Sequence, residues 1–172
     1  MKKTLGLVLI LLAGCQGEID KDIANIEKFE AKLKHPITLD SIPYNADSML
    51  MEFAKKYPKN PKSESYCYYA SAIAETRGMN LRAAQLAEYY LNNFSGTRER
   101  KMEQAVVAAH YYEKQQVFDK ALIYYRYLSD SFTKLPVGVQ AKQMVFFIEK
   151  GLTTPEQQLD YILRHQSDST GN

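Results

Sequence analysis

Three aromatic residues recur along this chain at a nearly constant spacing, and that spacing restricts the fold more than any other feature. Tyr57, Phe94 and Phe132 are 37 and 38 residues apart. Each is preceded by an alanine eleven positions earlier, and each alanine is followed four positions later by an apolar residue: Ala46 and Leu50, Ala83 and Ala87, Ala121 and Tyr125. A fixed period of this length is typical of repeats built from a pair of helices, in which small residues let the helices approach closely.

The local sequence predicts helices along the whole repeat region. Apolar residues fall at helical spacing in eight segments, the first over 22–34, and no segment alternates as a strand would. Ser63, Asn80 and Thr97 are predicted helix caps, and 154–157 (TPEQ) is a capping box with proline in the first turn. Since only a tight turn fits between Tyr112 and Phe118, 98–132 is predicted to be a helical hairpin and the best-preserved repeat.

A separate signal occupies the N-terminus. A short basic start is followed by an apolar run from Leu5 to Leu12, which is shorter than the roughly 20 residues that span a bilayer. The run ends in Leu12-Ala13-Gly14-Cys15, which resembles the lipobox of bacterial lipoproteins. The resemblance implies a signal peptide over 1–14, and a lipidated Cys15 with a tether over 15–21. We expect a helical domain over 22–165 and a disordered tail over 166–172.

The residue after the cysteine bears on location. Enteric lipoproteins that stay in the inner membrane carry aspartate there, whereas this chain has Gln16. The resemblance therefore implies an outer-membrane lipoprotein, held by its lipid anchor and facing the periplasm. The mildly acidic stretch 16–22 leaves exposure at the cell surface as the lesser alternative.

The repeat region resembles the tetratricopeptide (TPR) family. In that family the first helix of a repeat keeps a small residue followed three positions later by an aromatic or apolar one, as Ala109 and Tyr112 do here. The second helix keeps an aromatic residue followed by alanine, as Phe118 and Ala121 do. The resemblance covers roughly 46–151 and implies an all-α fold, a right-handed α-solenoid of TPR-like helical hairpins.

In TPR proteins the first helices line a concave groove. Carried over to this sequence, the groove positions are Tyr68, Ala72, Glu75, Val106, His110 and Glu113. They would hold a peptide or a partner helix on tyrosine and alanine surface, with carboxylates at the rim. The alternative is a groove filled by the chain's own N- or C-terminal helix.

Two further surface features carry predictions. The 13 tyrosines include four adjacent pairs, and one member of each pair is predicted to face the core while the other faces away: Tyr68-Tyr69, Tyr89-Tyr90, Tyr111-Tyr112 and Tyr124-Tyr125. A basic patch lies at one helix end: Lys55, Lys56, Lys59 and Lys62. The lysines are expected to form a solvated face that complements the helix dipole, with contact to anionic lipid headgroups as the alternative.

Charge and motif content exclude several functions. Without Lys2 and Lys3 the 22 basic residues become 20 (22 − 2), which equals the 20 acidic residues, so nothing favours nucleic acid. The three histidines are too scattered for a metal site, and Cys67 is predicted to be a small core residue. No nucleophile, acid–base pair or phosphate loop is recognisable, so we expect no enzyme, no cofactor and no small-molecule substrate.

Together these features predict a non-enzymatic, membrane-anchored adaptor that binds proteins of the cell envelope. The combination of lipobox and TPR-like repeats resembles outer-membrane lipoproteins of Gram-negative bacteria, including one in the β-barrel assembly machinery. Outer-membrane protein assembly is therefore the most concrete expectation. The alternative is a structural lipoprotein that organises the envelope, through self-association or through peptidoglycan synthesis.

Overall fold

The computed structural model describes residues 17–28 and 42–169, with side chains described as far as His165. These residues form eight helices and no strand, which confirms the all-α prediction. The helices are α1 (17–28), α2 (Ala46–Lys56), α3 (Ser63–Thr76), α4 (Asn80–Asn93), α5 (Arg98–Lys114), α6 (Phe118–Ser131), α7 (Pro136–Glu149) and α8 (Pro155–Ser169).

The chain divides into two compact units. The first, Met1–Ser95, holds α1 to α4, and the second, Gly96–Asn172, holds α5 to α8. In the first unit α3 packs against both α2 and α4, and in the second α6 packs against both α5 and α7. Packing between consecutive helices is the arrangement that a helix-pair repeat predicts.

The repeated residues occupy equivalent places in their helices. Tyr57, Phe94 and Phe132 are the C-cap residues of α2, α4 and α6, and the N–H of each donates to the carbonyl four residues earlier. The alanines eleven positions before them are fully buried. The sequence period therefore corresponds to a structural period. Every second helix has a small residue near its start and an aromatic residue at its C-cap.

Two of the four tyrosine pairs follow the prediction, and two do not. In one of the exceptions, Tyr68 is half-buried and Tyr69 is exposed, so neither faces the core as predicted. Tyr90 and Tyr112 are buried, while the tyrosine preceding each is half-buried.

Tyr124 and Tyr125 are both buried, with 7% and 9% of their surface exposed, so the prediction that one of them faces away is wrong. Contacts with α5 accommodate both tyrosines. Tyr124 stacks on Tyr112 with ring centroids 6.2 Å apart, and the Tyr125 hydroxyl donates to Glu113.

Helix α1 begins earlier than predicted because acidic residues of its first turns bind the end of α2. Lys56 Nζ donates to Glu18 Oε1 at 2.7 Å and to Asp22 Oδ2 at 3.1 Å, and Tyr57 donates to Asp22 at 2.8 Å. These hydrogen bonds lower the pKa of Asp22 and raise that of Lys56. Residues 17–21, predicted to be a tether, are therefore helical and partly engaged.

The basic patch is only partly a solvated face. Besides Lys56, Lys62 pairs with Glu27 of α1 at 2.5 Å, and Lys55 lies 5.5 Å from the ring centroid of Tyr89. Two of the four lysines thus bind the chain's own acidic residues. The predicted signal peptide, Cys15, Gln16 and the predicted helical residues 29–34 lie outside the described residues. At the other end the backbone is helical to Ser169, beyond position 166, where the tail was predicted to start.

Two predicted caps are present and two are not. Thr97 accepts from Arg100 N at 3.2 Å, and Thr154 and Gln157 form the reciprocal bonds of a capping box. Ser63 and Asn80 are instead the first residues inside their helices and cap nothing. The Ser63 hydroxyl is used elsewhere, since it donates to the Tyr57 carbonyl at 2.5 Å and ties the start of α3 to the end of α2.

The turns α3–α4 and α5–α6 have the same geometry. Gly78 and Gln116 both have a positive φ, +68° and +59°. In each turn the following N–H donates back across the helix end, from Met79 to Ala74 at 2.9 Å and from Val117 to Tyr112 at 2.8 Å. Gly78 and Gln116 are 38 residues apart, so Gln116 stands at the repeat position where the preceding hairpin has glycine.

Replacing Gln116 with glycine is expected to stabilise the protein. A left-handed conformation costs a residue with a Cβ about 1–2 kcal/mol, and glycine avoids this cost. Part of the gain is lost because glycine also increases the conformational entropy of the unfolded chain. We expect Gln116→Gly to raise the free energy of unfolding by about 0.5–1 kcal/mol in urea denaturation. The matched change Gly78→Ala should lower it by about 1 kcal/mol, because space around Gly78 is open and only its φ penalises a side chain. Equal effects of the two changes would contradict the assignment.

Candidate partner-binding groove

The second unit contains a cavity of about 350 Å³ bordered by one face of α5. Val106, His110 and Glu113 line it from that helix. Their spacing of four and then three residues places them on one helix face, because an α-helix turns once every 3.6 residues. We call this cavity the α5–α7 groove. Its other lining residues come from α6, α7 and α8: Tyr125, Leu128, Val137, Gln140, Ala141, Met144 and Gln158.

A second cavity, of about 490 Å³, meets the groove at His110 and Glu113. It runs past the end of α5 and the turn before α8, and its remaining lining residues are Lys114, Gln116, Phe118, Thr153, Thr154 and Pro155. The two cavities share the middle of the α5 face. That face therefore borders both cavities.

The floor of the groove comes from α6. Tyr125 and Leu128 line the cavity although both are largely buried. The Tyr125 hydroxyl donates to Glu113 Oε2. Burial and this hydrogen bond raise the pKa of Tyr125, so the phenol stays protonated and serves as a donor at neutral pH.

The opposite wall comes from α7. Val139 of this helix is 63% exposed, while Ala141, Phe147 and Ile148 are buried. A Cβ on Gly138 would lie 2.1 Å from the Phe132 carbonyl oxygen, so this glycine lets α7 start directly against the end of α6. The close approach sets the rotation of α7 and brings Val137, Ala141 and Met144 to the groove.

Among the described residues that line the groove, Glu113 is the only one with a carboxylate, and none is a lysine or arginine. The other lining side chains are apolar, amides, a tyrosine and the imidazole of His110. Glu113 is half-buried, and among the described residues no lysine or arginine pairs with it. Apart from the carboxylate of Glu113, the described lining of the groove therefore carries no acidic or lysine or arginine side chain.

The remaining predicted residues belong to the first unit. Tyr68, Ala72 and Glu75 share one face of α3, with Tyr68 and Ala72 half-buried and Glu75 exposed. The Tyr68 ring meets the edges of Tyr69 and Tyr90, with centroids 5.7 and 6.3 Å away. This aromatic contact fixes the Tyr68 ring and leaves part of it accessible beside Glu75.

The terminal helices leave the α5–α7 groove open. From α8, only Gln158 lines it, and the amide of that residue donates to the Leu152 carbonyl at 3.0 Å. Within the first unit α1 lies on α2, where Ile26 is buried and Asp22 binds Tyr57. Among the residues described in the second unit, the C-terminal helix therefore does not fill the groove.

Some groove residues were missed by sequence reasoning, although the repeat period contains a signal for one of them. Met144 is 38 residues after Val106, so one further period would have placed it on the first helix of the next hairpin. Gln140 and Gln158 carry no such signal. Polar residues on a helix surface look alike in sequence whether they face a cavity or open solvent.

The described residues hold few groups suited to other chemistry. No set of three His, Cys, Asp or Glu side chains among them could hold a metal ion, and none of the described helices is long and apolar enough to cross a membrane. Cys67 is buried as predicted, and burial raises the pKa of its thiol to about 12. It is therefore protonated at neutral pH and a poor nucleophile.

The groove and its single carboxylate are the most complete candidate site in the part of the chain that the structure describes. Its shape comes from the close contact of α6 with α7, and its charge from Glu113 alone. These features are read from this chain's own residues. Comparison with protein-family models, with curated proteins and with solved structures gives no match for the chain.

Proposed function

We propose that this protein is a membrane-anchored adaptor lipoprotein that binds protein partners of the cell envelope through the α5–α7 groove. Outer-membrane protein assembly is the most concrete setting for it. The observation that carries the proposal is that Val106, His110 and Glu113 line a single open cavity. A cavity with apolar walls and a few polar groups suits a peptide or a helix from a partner.

The proposed architecture is a right-handed, TPR-like α-solenoid. It is supported by the packing of consecutive helices and by the recurrence of C-cap aromatic residues at the repeat period. Tyr68, Ala72 and Glu75, which share one face of α3, are proposed as a further partner surface of the first unit.

The proposed location is the periplasmic face of the outer membrane. It is supported by the lipobox around Cys15 and by Gln16 after it. Two or more acyl chains hold a protein stably, because each buried CH₂ contributes about 0.8 kcal/mol. We propose no enzymatic role, since the groove lining has neither a nucleophile with a base nor a pair of acidic groups.

Site-specific crosslinking tests the binding role of the groove. A photoreactive amino acid at Val106, which is 39% exposed at the groove, should crosslink to a component of the β-barrel assembly machinery in intact cells. The matched control is Ile123 on α6, which is 58% exposed and does not line the groove. Mass spectrometry of the two products gives the measurement. Identical products from both positions, or none from Val106, would refute the binding role.

Removal of the lipid attachment site tests the anchor. Cys15→Ala deletes the only thiol that the lipobox offers, so the protein should move from the membrane fraction to the soluble fraction of lysed cells. Cys67→Ala serves as the control because that thiol is buried in the first unit, and it should leave the protein in the membrane fraction. Membrane retention of the Cys15 variant would show that the lipobox interpretation is wrong.

A second function, an organising role through self-association, is favoured by one observation on α8. Leu159 and Leu163 lie on one face of this helix with 57% and 58% of their surface exposed. Beside them Asp160 and Arg164 form an ion pair at 2.8 Å. In an antiparallel pair of α8 helices from two copies, the leucines would meet and each aspartate would face the arginine of the other copy.

The self-association alternative makes its own prediction. Sedimentation of the wild-type chain should show a dimer whose fraction rises with concentration, and Leu163→Gln should abolish it by placing an amide in the leucine contact. Leu135→Gln, at another exposed leucine of the second unit, is the control and should leave the dimer intact. A wild-type chain that stays monomeric at about 100 μM, a concentration at which a weak contact should be visible, would exclude this role.

A further inference from the structure

The α5–α7 groove contains a carboxylate that the chain's own residues do not neutralise. Glu113 is half-buried, and the only hydrogen bond that its carboxylate accepts in the described structure comes from the Tyr125 hydroxyl. That bond uses Oε2, so Oε1 has no hydrogen-bond partner among the described residues, and Glu113 lines both cavities. A carboxylate that is partly withdrawn from water and lacks a cation is unfavourable unless something else supplies one.

The nearest basic candidates do not fill this role. His110 lies one turn before Glu113 on the same face, but its ring packs edge-on against Tyr111 with centroids 5.0 Å apart, and no hydrogen bond joins it to Glu113. Lys114 follows Glu113 directly, is exposed and makes no ion pair with it. Successive residues on a helix point about 100° apart, so Lys114 lines only the second cavity.

We propose that Glu113 makes the groove selective for a partner segment that carries a lysine or arginine next to an aliphatic side chain. This inference rests on the proposed function, because it takes the groove to be the partner site. The ammonium or guanidinium would donate to Oε1 of Glu113 in a charge-assisted hydrogen bond. The Tyr125 hydroxyl, held protonated, keeps the carboxylate oriented toward the incoming cation.

The apolar lining explains the second half of the motif. Val106, Leu128 and Met144 line the same cavity as Glu113 and offer no hydrogen bonds from their side chains. The methylene stem of a lysine or arginine can lie against such surface while its charged tip reaches a carboxylate. A neighbouring aliphatic side chain would bury further apolar area there. An acidic segment, by contrast, would meet Glu113 with like charge and no counter-ion.

Peptide selection measures this preference directly. The full mature lipoprotein, held in detergent micelles and immobilised, is used to select from a displayed library of random twelve-residue peptides. We expect the selected peptides to be enriched in lysine or arginine beside leucine, isoleucine, valine or methionine. Glu113→Gln should remove the enrichment in basic residues, since the amide still accepts from Tyr125 but carries no charge. Glu113→Lys should select acidic residues instead.

A matched control separates local from general charge effects. Glu99 stands in the first turn of α5, is exposed and does not line the groove, so Glu99→Gln removes the same charge from the same helix. It should leave the basic preference unchanged. For a selected peptide, Glu113→Gln should weaken binding roughly tenfold to a hundredfold, the range for a charged hydrogen bond. Circular dichroism and the unfolding midpoint establish that each variant is folded.

The outcomes distinguish the inference from the proposed function on which it rests. Peptides selected without basic residues, or a basic preference that survives in Glu113→Gln, would overturn the inference while leaving the groove as a binding site. If the wild-type chain selects no peptide and Val106 gives no crosslink in cells, both the inference and the proposed function fail. A basic preference lost only in the Glu113 variants supports both.

Discussion

The close approach of helix to helix is the constraint on which the rest of this structure depends. Fully buried alanines recur near the start of α2, α4 and α6, and Gly138 brings α7 against the end of α6. Larger side chains would not fit at the positions of these alanines and of Gly138. Tyrosines fill the remaining space between the helices. Val137, Ala141 and Met144 of α7 line the groove opposite α5.

Periodicity made most of the fold predictable from the sequence. The C-cap aromatic residues, the turn at Gly78 and the hairpin of α5 and α6 all follow from a pattern of local signals. What the pattern could not predict were contacts between segments distant in sequence. Tyr124 is buried because Tyr112 stacks on it, and α1 starts early because Lys56 binds two of its acidic residues. The sequence of one segment does not show which residues of another segment it will contact.

The candidate site, like the fold, could be predicted from the sequence only in part. The face of α5 could be predicted, because helix geometry fixes which of its residues share a side. The isolation of Glu113 could not, since whether a carboxylate is paired depends on lysines and arginines from every neighbouring helix. Here Arg77 and Arg82 both bind Asp47 of the first unit, and Arg126 binds Glu149, so these basic groups are already engaged. Which carboxylates are paired with a lysine or arginine, and which are left unpaired, is not determined by the repeat motif.

The ion pairs of α1 have a consequence for how high the domain stands above a bilayer. Glu18 and Asp22 bind Lys56, and residue 17 is already helical, so only Gln16 lies between Cys15 and the first described residue of α1. The two Cα-to-Cα steps from Cys15 to residue 17 span at most about 7 Å. If Cys15 carries lipid as proposed, the end of α2 stands within headgroup distance of the membrane.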